Sequence, residues 1–158
     1  MRAPHYYLTV LALIFFACGG GQSKIDQIKA QTAIPEPTSL EEAEQNWQDY
    51  AGVGPIAASY SLPETIDQAL ADSGQKIYEA KCTACHKTDK RFIGPAPKDI
   101  LTRRTPSWVL NMILNPEEMV QKDPLARQLL IAYNGSPMAN QNLTEEEARA
   151  VLEYFRTL

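Results

Sequence analysis

The sequence predicts an all-α protein, because apolar residues recur at helical spacing behind recognisable helix starts. No segment of the sequence shows the strict alternation of apolar and polar residues that marks a half-buried strand. The chain has 158 residues, which is enough for one domain with a single core and a terminal extension. Its formal net charge of −4 argues against nucleic acid as a partner.

The first two helices are predicted in the middle of the chain. The first takes Ser73 as its N-cap and runs through Tyr78 into Cys82. The second begins at Thr105-Pro106, where a capping residue precedes a proline at the first helical position. Since proline cannot continue a helix, this second helix should stop before Asn115-Pro116.

The last two helices are predicted in the C-terminal third. One contains Leu125 and ends near Asn134-Gly135, a pair typical of helix C-termini. The other opens with a capping box, in which Thr144 and Glu147 satisfy each other's backbone amides. Behind this box, Val151 and Phe155 lie four residues apart on the apolar face of an amphipathic helix.

The segment Cys82-Thr83-Ala84-Cys85-His86 has the spacing of a c-type haem attachment site. Residues three and four apart on one helical turn share a face. Cys82 and Cys85 can therefore each form a thioether with one haem vinyl group, and His86 can place a ring nitrogen on the iron. A C-x-x-C redox pair and half of a zinc site are the competing interpretations. A redox pair requires a thioredoxin-like βαβ context. A zinc site requires two further ligands.

The second iron ligand is predicted from the residues that remain. His5 lies in a segment predicted to be removed, so a second histidine ligand is excluded and methionine becomes the candidate. Met138 lies in an irregular loop, residues 134–140, which can wrap around the opposite face of the haem. Met112 is within a predicted helix and is typical of a core residue, and Met119 is a weaker candidate.

The N-terminus predicts export. Residues 1–17 are the predicted signal peptide, since the largely apolar run of ten residues, 8–17, is too short to span a bilayer but suits a secretory h-region. Phe-Phe-Ala-Cys resembles a bacterial lipobox, which implies cleavage before Cys18 and lipid on its sulfur; an ordinary secretory signal or an uncleaved anchor is the alternative. Residues 18–40 are predicted to be a lipid-anchored flexible tether. Residues 41–71 are predicted to be an N-terminal extension packed on the domain, with a disordered linker as the alternative.

Basic residues cluster around the C-x-x-C-H segment, although the chain as a whole is acidic. The cluster, called the basic rim below, consists of Lys81, Lys87, Lys90, Arg91, Lys98, Arg103 and Arg104. A ring of positive charge at an exposed haem edge could steer the protein onto an acidic redox partner. A mixed, solvated surface without a docking role is the alternative interpretation.

The chain resembles the class I mono-haem c-type cytochromes. Besides the haem motif, the matching residues are Gly74 and Tyr78, Phe92-Ile93-Gly94-Pro95, Pro137-Met138, and Tyr154-Phe155. The resemblance implies that the first and last helices cross, with Gly74 packed against Tyr154 or Phe155. The segment Asn115 to Leu130 is longer than the smallest members of this family need.

The resemblance implies a cytochrome c-like helical domain over residues 72–158, built around one covalently attached haem c. Cys82 and Cys85 would hold the haem, and His86 and Met138 would be the axial iron ligands. The backbone carbonyl of Pro95 would accept a hydrogen bond from the His86 imidazole and orient it.

A longer pattern resembles the lipoprotein cytochromes that accompany nitrous oxide reductase systems. It extends from Arg104-Thr105-Pro106-Ser107-Trp108 through Asn115-Pro116-Glu117-Glu118-Met119 to Pro137-Met138-Ala139-Asn140. The implied protein is lipid-anchored on the periplasmic side of a bacterial membrane.

The predicted function is single-electron transfer between exported or membrane redox partners of a respiratory chain. With two protein ligands the iron has no open position, so substrate chemistry by this protein is not expected. Two alternatives remain: a cytochrome subunit of a larger reductase or oxidase complex, and a haem gas sensor in which Met138 is displaced.

Overall fold

The computed structural model describes residues 44–58 and 60–158. The predicted signal peptide, Cys18 and the tether of residues 18–40 therefore lie outside the described residues. Between residues 68 and 155 the backbone forms five α-helices: α1 Gln68–Lys81, α2 Pro106–Leu114, α3 Pro116–Lys122, α4 Pro124–Ala132 and α5 Glu145–Phe155. Short 3-10 helices lie at Trp47–Asp49 and Ile100–Thr102. Neither described range contains a β-strand, in agreement with the all-α prediction.

Two of the three predicted N-caps, Thr105 and Thr144, are found at the starts of their helices. Thr105 accepts a hydrogen bond from the Trp108 amide at 3.1 Å, and the capping box of Thr144 and Glu147 is formed in both directions. The first helix begins earlier than predicted: Asp67, not Ser73, is the N-cap of α1. The predicted domain boundary at residue 72 therefore falls inside α1.

Two prolines divide the segment after α2 into two short helices. Pro116 and Pro124 each occupy the first turn of a new helix, where the missing amide costs no hydrogen bond. Asp123 caps the second of these helices by accepting from the Ala126 amide at 2.8 Å. The same carboxylate accepts a hydrogen bond from the indole nitrogen of Trp108 at 3.1 Å. This bond attaches the junction of α3 and α4 to α2.

The first and last helices pack against each other at Gly74. A Cβ atom at this position would lie 1.8 Å from the backbone oxygen of Ala150, so α5 approaches α1 as closely as only glycine allows. The three atoms nearest to such a Cβ belong to the backbone of Ala150 and Val151 and not to the predicted partners Tyr154 and Phe155. Tyr78 makes the aromatic contacts instead, with ring centroids 5.5 Å from Tyr154 and 5.7 Å from Phe155.

Residues 44–58, called the strap below, lie against α2 and α3. Tyr50 belongs to the buried core. The fully buried amide of Asn111 donates to the carbonyls of Ala51 and Ile56 and accepts from the Ile56 amide at 2.9 Å. Residues 60–67 lead from the strap to the start of α1.

An ion pair fixes that segment to the end of α5. The buried Glu153 carboxylate pairs with Arg156 at 2.7 Å and accepts from the Asp67 amide at 2.7 Å. Arg156 also donates to three consecutive carbonyls, those of Pro63, Glu64 and Thr65. Within the described ranges, no helix is long and apolar enough to cross a membrane.

Candidate functional site

One cavity of about 240 Å³ lies at the C-terminal end of α1. Its walls come from the chain after α1, from α2 and α4, from the loop before α5 and from α5 itself, and they are largely apolar. All five predicted site residues that fall within the described ranges line this cavity: Cys82, Cys85, His86, Pro95 and Met138. The sixth, Cys18, lies outside the described residues.

The C-x-x-C-H segment forms a tight turn directly after α1. The Cys82 amide continues the helix by donating to the Tyr78 carbonyl at 2.8 Å. The amides of Cys85 and His86 then both donate to the Cys82 carbonyl, at 3.0 and 2.9 Å. The turn holds both sulfurs and the imidazole at one cavity wall, and neither sulfur is part of a disulfide. Burial raises the pKa of the Cys82 thiol.

The orientation of His86 is fixed by the loop that follows it. Its Nδ1 lies 2.8 Å from the Pro95 carbonyl oxygen, and because a carbonyl can only accept, Nδ1 carries the proton and Nε2 has the free lone pair. A Cβ atom on Gly94 would lie 2.4 Å from Cε1 of the ring. Glycine at this position therefore lets the loop close over the imidazole, and the Gly94 amide anchors the loop by donating to the Cys85 carbonyl at 2.8 Å.

The three methionines of the described residues lie in different surroundings. Met138 is half-buried and lines the cavity from the loop before α5. Met112, on α2, lines the same cavity. Met119 does not: it is fully buried beneath the strap, and its sulfur accepts a hydrogen bond from the Val53 amide at 3.0 Å.

The basic rim divides into an inward and an outward group. Lys81, Arg103 and Arg104 line the cavity. Arg103 donates its guanidinium hydrogens to the carbonyls of Ala96, Lys98 and Asp99. Of the outward group, Lys87 lies 4.8 Å from the ring centre of Phe92, Arg91 lies 4.0 Å from that of Tyr133, and Lys90 and Lys98 are exposed.

The cavity contains two buried polar atoms without a hydrogen-bond partner, and both suit a haem. The Nε of Arg104 and the hydroxyl of Tyr78 are buried and unpartnered, and both side chains line the cavity. Burial lowers the pKa of Arg104, and its guanidinium lies 5.2 Å from the ring centre of Trp108. A haem has an apolar macrocycle and two propionate carboxylates. Apolar walls, a partly buried arginine, two thiols and an oriented imidazole match that chemistry.

A metal site of another kind has no support in the same region. The described part of the chain contains no group of three or more His, Cys, Asp or Glu side chains placed to hold a metal ion.

Comparison with known proteins gives a consistent result. The cytochrome c family model matches residues 71–158. Cytochrome c-551 of Stutzerimonas stutzeri is 30% identical over 98 residues, which cover 59% of this chain and 84% of that protein. Cytochrome c-551 of Ectopseudomonas mendocina is 28% identical over 87 residues, 54% of this chain and 98% of its own length.

Solved structures show the same likeness. A cytochrome c from Rhodothermus marinus has a TM-score of 0.64 and 43% sequence identity, and the match covers 72% of this chain and 95% of that one. An engineered form of that protein, described as bound to a carbene intermediate, has a TM-score of 0.59 and 46% identity, with 66% and 88% of the two chains covered. With its fold, its C-x-x-C-H turn and its family match, this chain belongs to the cytochrome c family, and its cofactor is covalently bound haem c.

Proposed function

We propose that this chain is a mono-haem electron carrier, tethered by lipid at Cys18 to the periplasmic side of a bacterial membrane. It would pass single electrons between redox partners of a respiratory chain without substrate chemistry of its own. The observation that carries the electron-transfer part of the proposal is the cavity in which the Cys82–His86 turn and Met138 come together from distant parts of the sequence. Haem bound there supplies reversible one-electron chemistry at its iron.

In this proposal His86 and Met138 would both hold the haem iron. The Pro95 carbonyl keeps Nδ1 protonated and so presents Nε2 as the ligand atom. The thioether of Met138 favours the reduced iron and raises the reduction potential. An iron held by both residues would need little rearrangement when it gains or loses an electron, and it would have no free position for small molecules.

The ligand assignment is tested by replacing Met138 with histidine. We expect Met138→His to lower the midpoint potential, because an imidazole replaces the thioether that stabilises the reduced state. A redox titration followed by absorption spectra measures this change. Met119→Leu is the matched control, since Met119 lies beneath the strap and outside the cavity. A potential and spectra unchanged by Met138→His would contradict the assignment.

Anchoring by Cys18 rests on the N-terminal sequence alone. The test is mass spectrometry of the mature N-terminus from a bacterial host with lipoprotein processing. A diacylated cysteine 18 is the expected result, and an unmodified start at any other residue would contradict the tether.

Docking to an acidic partner is supported by the outward part of the basic rim. Lys87, Lys90 and Arg91 lie on the loop that follows the C-x-x-C-H turn, next to the exposed apolar side chains of Phe92 and Ile93. Because exposed charges are screened by salt, the electron-transfer rate with an acidic partner should fall as ionic strength rises. A rate independent of ionic strength would contradict this surface.

Gas sensing is the second candidate function, and the exposed loop that carries Met138 favours it. Residues Ser136, Pro137, Ala139 and Asn140 are all exposed, so Met138 is not enclosed by its neighbours. Carbon monoxide added to the reduced protein separates the two candidates. A carrier with a retained ligand set shows no spectral change, whereas a sensor shows a stoichiometric carbon monoxide complex.

A further inference from the structure

Met112 is the second thioether in the haem cavity, and the proposed function gives it no role. We propose that Met112 is a reserve axial ligand, which binds the haem iron when the loop of residues 134–143 withdraws Met138. The inference rests on the proposed function, in which Met138 is the resident ligand. It is carried by three features of the described residues: the shared cavity, the attachment of the loop to α2, and the different anchoring of the two methionines.

The loop of Met138 is attached to the helix of Met112. The side-chain amide of Asn140 donates to the carbonyl of Leu114 at 3.3 Å. Asn140 follows Met138 by two residues, and Leu114 follows Met112 by two residues. This bond places the end of α2 beside the loop, on the side of the cavity from which Met138 enters. His86, by contrast, is anchored through Gly94 and Pro95.

The two methionines differ in how firmly their backbone is held. Helix α2 is capped at its start by Thr105. Its residue Asn111, whose side chain is fully buried, attaches the helix to the strap by hydrogen bonds. The loop is exposed over most of its length. Its other hydrogen bonds are local, such as the Asn142 amide to the Asn140 side chain at 2.8 Å. The loop should therefore open while α2 stays in place.

Methionine is suited to such a reserve role. Its side chain has three rotatable bonds, so its sulfur can shift within a cavity without movement of the backbone. Of the three methionines in the described residues, Met119 cannot serve, because its sulfur is engaged by the Val53 amide outside the cavity. Lys81 also lines the cavity, but a thioether is the softer ligand and is the kind that Met138 supplies.

The consequence is that the haem iron keeps a sixth ligand when the loop of residues 134–143 opens. A protein with Met138 alone would expose a vacant iron position at each opening. With Met112 in reserve, the sixth position is refilled by the same kind of atom, so both the spin state and the preference for reduced iron are retained. Small ligands would compete with a thioether rather than with water.

The test uses haem-loaded full-length protein with methionine labelled at the ε-methyl carbon. In reduced, diamagnetic haem the methyl of a bound methionine is shifted far upfield by the ring current, which makes the NMR spectrum a direct record of ligation. We expect one shifted methyl in the wild type and one, at a new position, in Met138→Ala. The shifted methyl should be lost in Met138→Ala/Met112→Leu and retained in the control Met138→Ala/Met119→Leu. Met112→Leu is nearly isosteric and should preserve the fold, which far-UV circular dichroism checks.

The outcomes separate this inference from the proposed function. A normal wild-type signal with no shifted methyl in Met138→Ala overturns the reserve role and leaves the carrier function intact. A wild-type signal that disappears in Met112→Leu but not in Met138→Ala overturns both ligand assignments. Water or Gln141 as the replacement ligand gives no shifted methyl and so counts against Met112. Carbon monoxide provides the second readout: we expect at least a tenfold weaker binding to reduced Met138→Ala than to the double variant with Met112→Leu, and equal binding would overturn the inference.

Discussion

Replacing Gly74 with alanine tests the closest contact in the fold, the crossing of α1 and α5. The added Cβ atom would lie 1.8 Å from the Ala150 oxygen and 2.3 Å from the Ala150 carbonyl carbon. Ordinary contact begins near 3.4 Å, so the helices would have to separate by 1.6 Å (3.4 − 1.8) at this point. Both opposing atoms belong to the backbone, and neither can rotate away.

The expected loss of stability is the balance of two unfavourable contributions and one favourable contribution. Forcing an extra methyl into a well-packed contact costs about 1–3 kcal/mol. Separation of the helices also weakens the contacts of Tyr78 with Tyr154 and Phe155, each contributing about 0.5–1.5 kcal/mol beyond simple burial. Alanine in a helix gains about 0.5–1 kcal/mol over glycine, which opposes the loss. We expect Gly74→Ala to lower the free energy of unfolding by about 3 kcal/mol.

The measurement is guanidinium unfolding of the haem-loaded protein, followed by far-UV circular dichroism. Ser73→Ala is the control, because Ser73 is exposed on the same helix and reports helix propensity without the contact. That control should be neutral or slightly stabilising. An unchanged or raised unfolding midpoint in Gly74→Ala would refute the argument, since only the close approach of α5 makes the substitution unfavourable.

Three further substitutions probe other parts of the structure. Burial raises the pKa of Tyr78 to about 12. The contribution of its neutral hydroxyl to stability is therefore fully present below pH 10 and is lost as pH rises towards 12. Tyr78→Phe should remove this alkaline loss, and equal losses of stability at about pH 9–12 in both proteins would refute the argument. Asn111→Ala removes the three hydrogen bonds to the strap and should lower the free energy of unfolding by about 2–4 kcal/mol. Hydrogen exchange at the Ile56 amide should become faster. Unchanged exchange at this amide would contradict the role of Asn111 in holding the strap. Gly94→Ala should push the His86 ring away from the Pro95 carbonyl. The weaker hydrogen bond at Nδ1 makes the imidazole less basic, so the midpoint potential should rise. An unchanged potential would show that the loop moves and the ring stays in place.

Local signals in the sequence predicted most helix ends, because capping is decided within a few residues. Thr105 and Thr144 lie next to their helices and carry the complete signal. Asp67 was missed because the chain offers a second acceptable cap, Ser73, six residues later. The choice between them depends on the Glu153 carboxylate, which fixes the Asp67 amide from a distant part of the sequence.

Long-range contacts account for the remaining differences. The place of Arg103 and Arg104 in the cavity wall could not be predicted from the cluster of positive charge, because periodicity does not say which way a residue in a loop faces. The burial of Met119 beneath the strap depends on Val53, which is 66 residues away along the chain. The cavity residues of the C-x-x-C-H turn, by contrast, are local and were predicted together.

The strap has a consequence for the minimum length of chain that can fold. The family match begins at residue 71, yet Tyr50 is part of the core and the Asn111 amide is satisfied only by strap carbonyls. A truncated protein starting at residue 71 would lack Tyr50 in its core, would expose to water the face of α2 that the strap covers, and would lose the first residues of α1 with their cap Asp67. The autonomous folding unit therefore includes the strap, and a recombinant haem domain should contain it.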